Sequence, residues 1–139
     1  MDAREFFQLI VEPNYYEFYR AQNSIRLLWN AIVSMNTAPE FLVLDRQKYR
    51  LDLLREEIER EAQKIREELG LIELQYCANT FKHVRKIPSR RSFEFTASST
   101  GVDPIDQATW VLDGHDLVQV AHDSFAKLSK AVQKLKPAQ

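Results

Sequence analysis

The chain has 139 residues, 45% hydrophobic and 28% charged, with 19 basic and 20 acidic side chains giving a formal net charge of −1. That is the balance of an ordinary globular chain of one domain's size, covering 1–139, and it excludes whole-surface attraction to nucleic acid or acidic lipid. Three glycines are too few for the many tight turns of a β-barrel or sandwich, and the single Cys77 excludes an internal disulfide.

In chain order, Asp2 is placed to cap a helix over residues 3–12, with Glu5 three positions on completing a capping box, and Pro13 is expected to end it. Asn14 then caps a second helix running to about Asn36, with Phe18, Ala21, Ile25, Leu28, Ile32 and Met35 as its buried stripe, widened by Tyr15, Tyr19 and Trp29. Thr37-Ala38-Pro39 breaks that pattern, and Phe41 to Leu44 reads as a short apolar turn or half-helix. Residues 45–69 form the clearest element, a helix with a seam of Leu51, Leu54, Ile58, Ala62, Ile65 and Leu69. Its solvated back carries the i,i+4 pairs Glu56/Arg60, Arg55/Glu59 and Lys64/Glu68.

Gly70 stops or kinks the helix. The next one carries Leu71, Leu74, Ala78, Phe81 and Arg85 along one side. Ile72, Gln75, Asn79, His83 and Lys86 fall on a neighbouring stripe, and Pro88-Ser89 ends it. Ser92 to Thr96 alternates with period two, as a half-buried strand does; residues 98–107 read as a loop, and Thr109 to Leu112 favours β structure. Asp113-Gly114 is a turn signal. Asp116 caps a last helix with Leu117, Val120, Ser124, Leu128, Ala131 and Leu135 along its seam; in the rival reading, Asp113-Gly114 is the tip of a hairpin into Leu117–Val120. The expected architecture is mainly α, a four-helix-type bundle with a small antiparallel β insertion (about 91–112) before the last helix. With no signal-peptide run and no stretch of membrane-span length, the expected location is cytoplasmic.

One segment concentrates chemistry. Between Lys82 and Arg91 stand Lys82, Arg85, Lys86, Arg90 and Arg91 with no acid among them. Asn79 and His83, four apart, share a helix face with Lys86 three further on. A histidine titrating near neutrality can act as general base or acid, cations can hold a phosphate, and an asparagine one turn away can orient the imidazole. Cations at a helix C-terminus also complement its dipole without any ligand.

The order Asn79-Thr80-Phe81-Lys82-His83, on the penultimate long helix of a small bundle, resembles the ribonuclease motif of the HEPN superfamily. That motif is an arginine, usually a polar residue such as asparagine, a few residues, then a histidine. The same run is similar to an asparagine-x-x-lysine-histidine signature in uncharacterised bacterial proteins. Asn79 and His83 match the polar and histidine positions, and Ala78 stands where the arginine would be. The resemblance implies a homodimer whose motif helices face one another. Active members cleave RNA there without a metal; inactive members are binding modules, many of them in toxin–antitoxin or phage-defence systems. With its arginine replaced, the motif implies a non-catalytic binding or regulatory domain. The alternative is a metal-free endoribonuclease acting through His83 and Asn79. The expected partners are a second copy, RNA or another protein, with no membrane, metal or small-molecule cofactor.

The remaining candidates read as structural. His115 and His122, two turns apart on one helix, would stand about 10 Å apart, too far to share a metal. Cys77 reads as a buried thiol. Asp103 and Asp106 suit turn hydrogen bonds, and Ser98-Ser99-Thr100-Gly101 lacks the context of a phosphate loop. Arg20, Asn23, Arg26 and Asn30 form a polar stripe expected to be exposed or the polar edge of a helix pair; the alternative is that it faces the basic segment and completes a phosphate site.

Overall fold

A computed structural model of the chain describes residues 1–46, 53–82, 93–97 and 108–135. It is mainly helical, with a small antiparallel sheet before the last helix. The elements are α1 (Ala3–Phe6), a π-turn (Phe7–Val11), α2 (Glu12–Arg20), α3 (Ile25–Arg46), α4 (Arg55–Leu69), α5 (Ile72–Lys82), β1 (Phe93–Ala97), β2 (Ala108–Leu112), β3 (His115–Asp116) and α6 (Leu117–Gln133). α3 is the central helix, touching α1, α2, α4, α5 and α6.

Asp2 caps α1 as expected, its carboxylate accepting from Glu5 N at 2.8 Å. Pro13 does not end the helix. α1, the π-turn and α2 form one continuous rod, and the proline sits in the first turn of α2. Just before it the helix widens, the Glu12 N–H reaching back to the Phe7 carbonyl. A π-turn absorbs the register change that a proline's missing donor and bulky ring would otherwise force as a break. Asn14 is therefore inside α2 and caps nothing.

The break comes later, at Ala21 to Ser24. Ala21 leaves the helical region (φ −144, ψ 63), and Ser24 restarts the chain, its Oγ accepting from Leu27 N at 3.3 Å. The expected helix 14–36 is thus two, and Ile25, assigned to the buried stripe, is 38% exposed. The indole N–H of buried Trp110 on β2 donates to the Gln22 carbonyl at 2.8 Å, so the sheet docks onto this break.

α3 runs on through Pro39 to Arg46, so Phe41–Leu44 is helix. At the proline turn the guanidinium of buried Arg66 donates to the Asn36 carbonyl at 2.8 Å and its side-chain oxygen at 3.1 Å. By joining two apolar segments across Pro39, α3 reaches the length and hydropathy of a membrane span, although no such stretch was expected; 61% of its most apolar window is buried inside the fold.

α4 begins at Arg55 rather than Asp45, which belongs to α3, and the expected seam residue Leu54 is an exposed N-cap; Leu51 lies outside the described residues. Ala62 and Ile65 are buried as the seam requires. Arg55 pairs with Glu59 at 3.2 Å, but Lys64 turns to Glu61 at 3.0 Å, and Glu68 reaches Arg46 on α3 at 3.4 Å. Gly70 terminates α4 in the left-handed region (φ 73), with Leu71 N bonding to the Arg66 carbonyl at 2.8 Å. This is the Schellman cap that favours glycine.

β1 pairs with β2 antiparallel, Phe93 opposite Leu112 and Ala97 opposite Ala108. Asp113 (φ 49) and Gly114 (φ 83) both have positive φ, the signature of a two-residue type I′ hairpin turn. Both sequence readings of this region hold in part. The hairpin exists, but β3 lasts two residues. Asp116 then caps α6, its carboxylate accepting from Val118 N at 3.1 Å and Gln119 N at 3.2 Å.

Candidate functional site

α5 carries the start of the predicted motif. Leu74, Cys77, Ala78 and Phe81 are buried on its core side, and Ile72, Glu73, Tyr76 and Asn79 are exposed on the other. Asn79 therefore presents its amide to solvent, while Ala78, at the position of the family's arginine, is 0% exposed. Lys82 closes α5. His83, Arg85, Lys86, Arg90 and Arg91 lie outside the described residues, as do Pro88, Asp103, Asp106 and the Ser98–Gly101 run.

One turn before Asn79, the β2–β3 turn is pinned to the exposed face of α5. Glu73 Oε1 lies 2.7 Å from His115 Nδ1, the Tyr76 hydroxyl donates to Asp113 Oδ2 at 2.6 Å, and the Tyr76 and His115 rings are 5.2 Å apart. His115 is thus not a helix-surface residue but one of four members of a polar cluster with Glu73, Tyr76 and Asp113. A carboxylate on one imidazole nitrogen fixes the orientation of the ring. The sequence holds the turn signal, yet nothing in it ties residue 115 to residue 73.

His122 faces a different wall. Its Nδ1 is 2.5 Å from the hydroxyl of Tyr15, beside a stack in which Tyr15 and Phe125 rings are 4.0 Å apart. The two histidines expected on one helix therefore serve separate elements, one on β3 and one on α6. Among the described residues no group of three or more His, Cys, Asp or Glu side chains could hold a metal ion.

Cys77 is fully buried. Burial above all, then Glu73 and Asp113, pushes its thiol up to about 12, so it stays protonated and unreactive. Arg20, Asn23 and Arg26 are exposed as expected, but the break at Ala21 splits their stripe between two helices. A shallow cleft of about 300 Å³ runs along α2, lined by Gln8, Glu12, Pro13, Tyr16, Glu17 and Arg20.

Compared with protein-family models, curated proteins and solved structures, the chain matches none of them.

Proposed function

We propose that the chain is a non-catalytic binding domain of HEPN type, a regulatory component of a bacterial toxin–antitoxin or phage-defence system, with RNA as the ligand of its basic stretch Lys82–Arg91. The observation that carries this reading is Ala78. Its side chain is sealed in the core between Leu74 and Phe81. The position that supplies a cation in active members is thus apolar and points away from the exposed face bearing Asn79. Without that cation, charge developing on a cleaved phosphate lacks its usual stabilisation. The five cations from Lys82 to Arg91, with no acid among them, have the charge that sequence-independent phosphate contacts require.

The test pairs two measurements on the pure chain. Fluorescence anisotropy with single-stranded RNA should show binding that weakens steeply with salt and is lost when Lys82, Arg85 and Lys86 are changed to Gln. Incubation with the same RNA in EDTA should leave it intact. Cleavage by the wild type that disappears in His83→Ala would replace this reading with the metal-free endoribonuclease. Neither binding nor cleavage would overturn the RNA assignment and leave a protein as the ligand.

A further inference from the structure

The corner where the β2–β3 turn meets α5 holds an exposed tyrosine ring beside an imidazole, and we infer that it stacks one nucleobase of the single-stranded RNA whose phosphates the basic stretch binds. The inference rests on the RNA reading above and adds the residue that tells a base from bare sugar-phosphate.

The exposed face of α5 carries Ile72, Tyr76 and Asn79 at positions i, i+4 and i+7, an apolar side chain, an aromatic one and an amide. Ile72 and Tyr76 are 45% and 37% exposed. The helix then leads into the acid-free run of five cations that begins at Lys82. At the helical rise, Lys82 lies about 9 Å along the axis from Tyr76, close enough for one strand to meet both.

The ring is oriented before any ligand arrives. The Tyr76 hydroxyl donates to Asp113 Oδ2 at 2.6 Å, and the His115 ring packs beside it at 5.2 Å, tilted by 48°. Glu73 holds His115 at Nδ1, and the other ring nitrogen makes no hydrogen bond among the described residues. A ring already fixed loses little conformational freedom when a base stacks on it. The tilted imidazole walls one edge of that stack and offers its remaining nitrogen to the base edge. Unstacked bases of single-stranded RNA are commonly held on tyrosine and histidine rings, and every base has a π-face to offer. The two acids set the polarity. Glu73 and Asp113 are engaged by the imidazole and the phenol, but their charge repels phosphate. The RNA backbone therefore runs toward Lys82, and only the base enters the corner.

The test separates base from backbone. A uridine oligomer and an abasic ribose-phosphate oligomer of equal length are titrated against the full chain by fluorescence anisotropy, over a range of salt. The wild type should bind the uridine oligomer about tenfold more tightly than the abasic one. Tyr76→Ala should bind the two alike, at the wild type's abasic affinity, with the salt dependence unchanged because the phosphate contacts remain. Tyr76→Phe keeps the ring and loses only the bond to Asp113, so it should retain the preference for uridine. Ultraviolet crosslinking of the wild type to the uridine oligomer should mark the peptide that bears Tyr76. A preference that survives Tyr76→Ala overturns the inference and leaves RNA binding in place, as does equal binding of both oligomers by the wild type. Loss of the preference in Tyr76→Phe would assign the effect to anchoring of the turn and also overturn it. Binding of neither oligomer would remove the RNA reading and this inference together.

Discussion

Tyr15 and His122 stand 107 positions apart in the chain and meet with the phenol oxygen 2.5 Å from the imidazole Nδ1. Burial, then the neighbouring Tyr19 and Tyr16, raises the Tyr15 pKa. The phenol therefore stays protonated near neutrality and shares one hydrogen bond with the imidazole, as donor to Nδ1 or as acceptor from it according to the ring's tautomer. This bond ties the first third of the chain to its last helix. The raised value has a pH consequence. For an acid whose folded pKa exceeds its unfolded one, stability is fully present below the unfolded value of 10.0 and is lost as pH rises from there through the folded value. Ultraviolet titration should show one tyrosine ionising later than the rest, and Tyr15→Phe should remove that late component. The variant should also lose about 1 kcal/mol of stability near neutrality, measured by urea unfolding.

Arg66 and Asn36 make a second test. The guanidinium is buried, its pKa lowered chiefly by desolvation, and it is held by the Asn36 carbonyl and side chain beside Pro39. Asn36→Ala leaves a buried cation short of an acceptor and should cost about 2 kcal/mol. Arg66→Met removes the cation but strips a donor from the proline turn, and should cost about 1–2 kcal/mol. Because both changes act on one contact, the double variant should lose less than the two singles added together. Additive losses would show that the pair is not coupled.

Cys77 should be silent toward thiol reagents. With its thiol pushed up to about 12 and its side chain 0% exposed, a disulfide reagent should label it only after denaturation. Rapid labelling of the native protein would show that α5 opens readily. Cys77→Ser buries a hydroxyl among Leu74, Ala78 and their neighbours and should destabilise by about 1–3 kcal/mol, more than Cys77→Ala.

Gly70 tests the end of α4. Its φ of 73 strains any L-side chain, and a Cβ there would lie 3.2 Å from Lys127 Nζ, the flexible tip that donates to the Gly70 carbonyl. Gly70→Ala should cost about 1–2 kcal/mol, nearly all from the backbone because the lysine can move aside. A loss well beyond that would mean that the Lys127 contact carries more than a surface hydrogen bond does.

The sequence by itself determined the helical class, the β insertion, and every signal whose physics is complete within a few residues. Asp2 and Asp116 cap because their carboxylates reach donors two or three residues on. Gly70 stops a helix because, lacking a Cβ, it adopts that left-handed φ without strain. Leu74, Cys77, Ala78 and Phe81 are buried because their spacing places them on one side of α5. The tertiary structure decided the rest. Pro13 and Pro39 looked like stops, yet both helices run through them. The first is absorbed by a π-turn and the second lies where Arg66, from another helix, supplies donors. No local pattern marks Ala21 to Ser24 as a break, and Trp110 docks on it from a distant strand. The partners of His115 and His122 were equally hidden, since Glu73 and Tyr15 reach them only after the chain has folded back. A cap or a hydrophobic stripe is a property of neighbouring residues; a helix that survives its proline, or a histidine that finds its oxygen, depends on what the rest of the chain brings to that point.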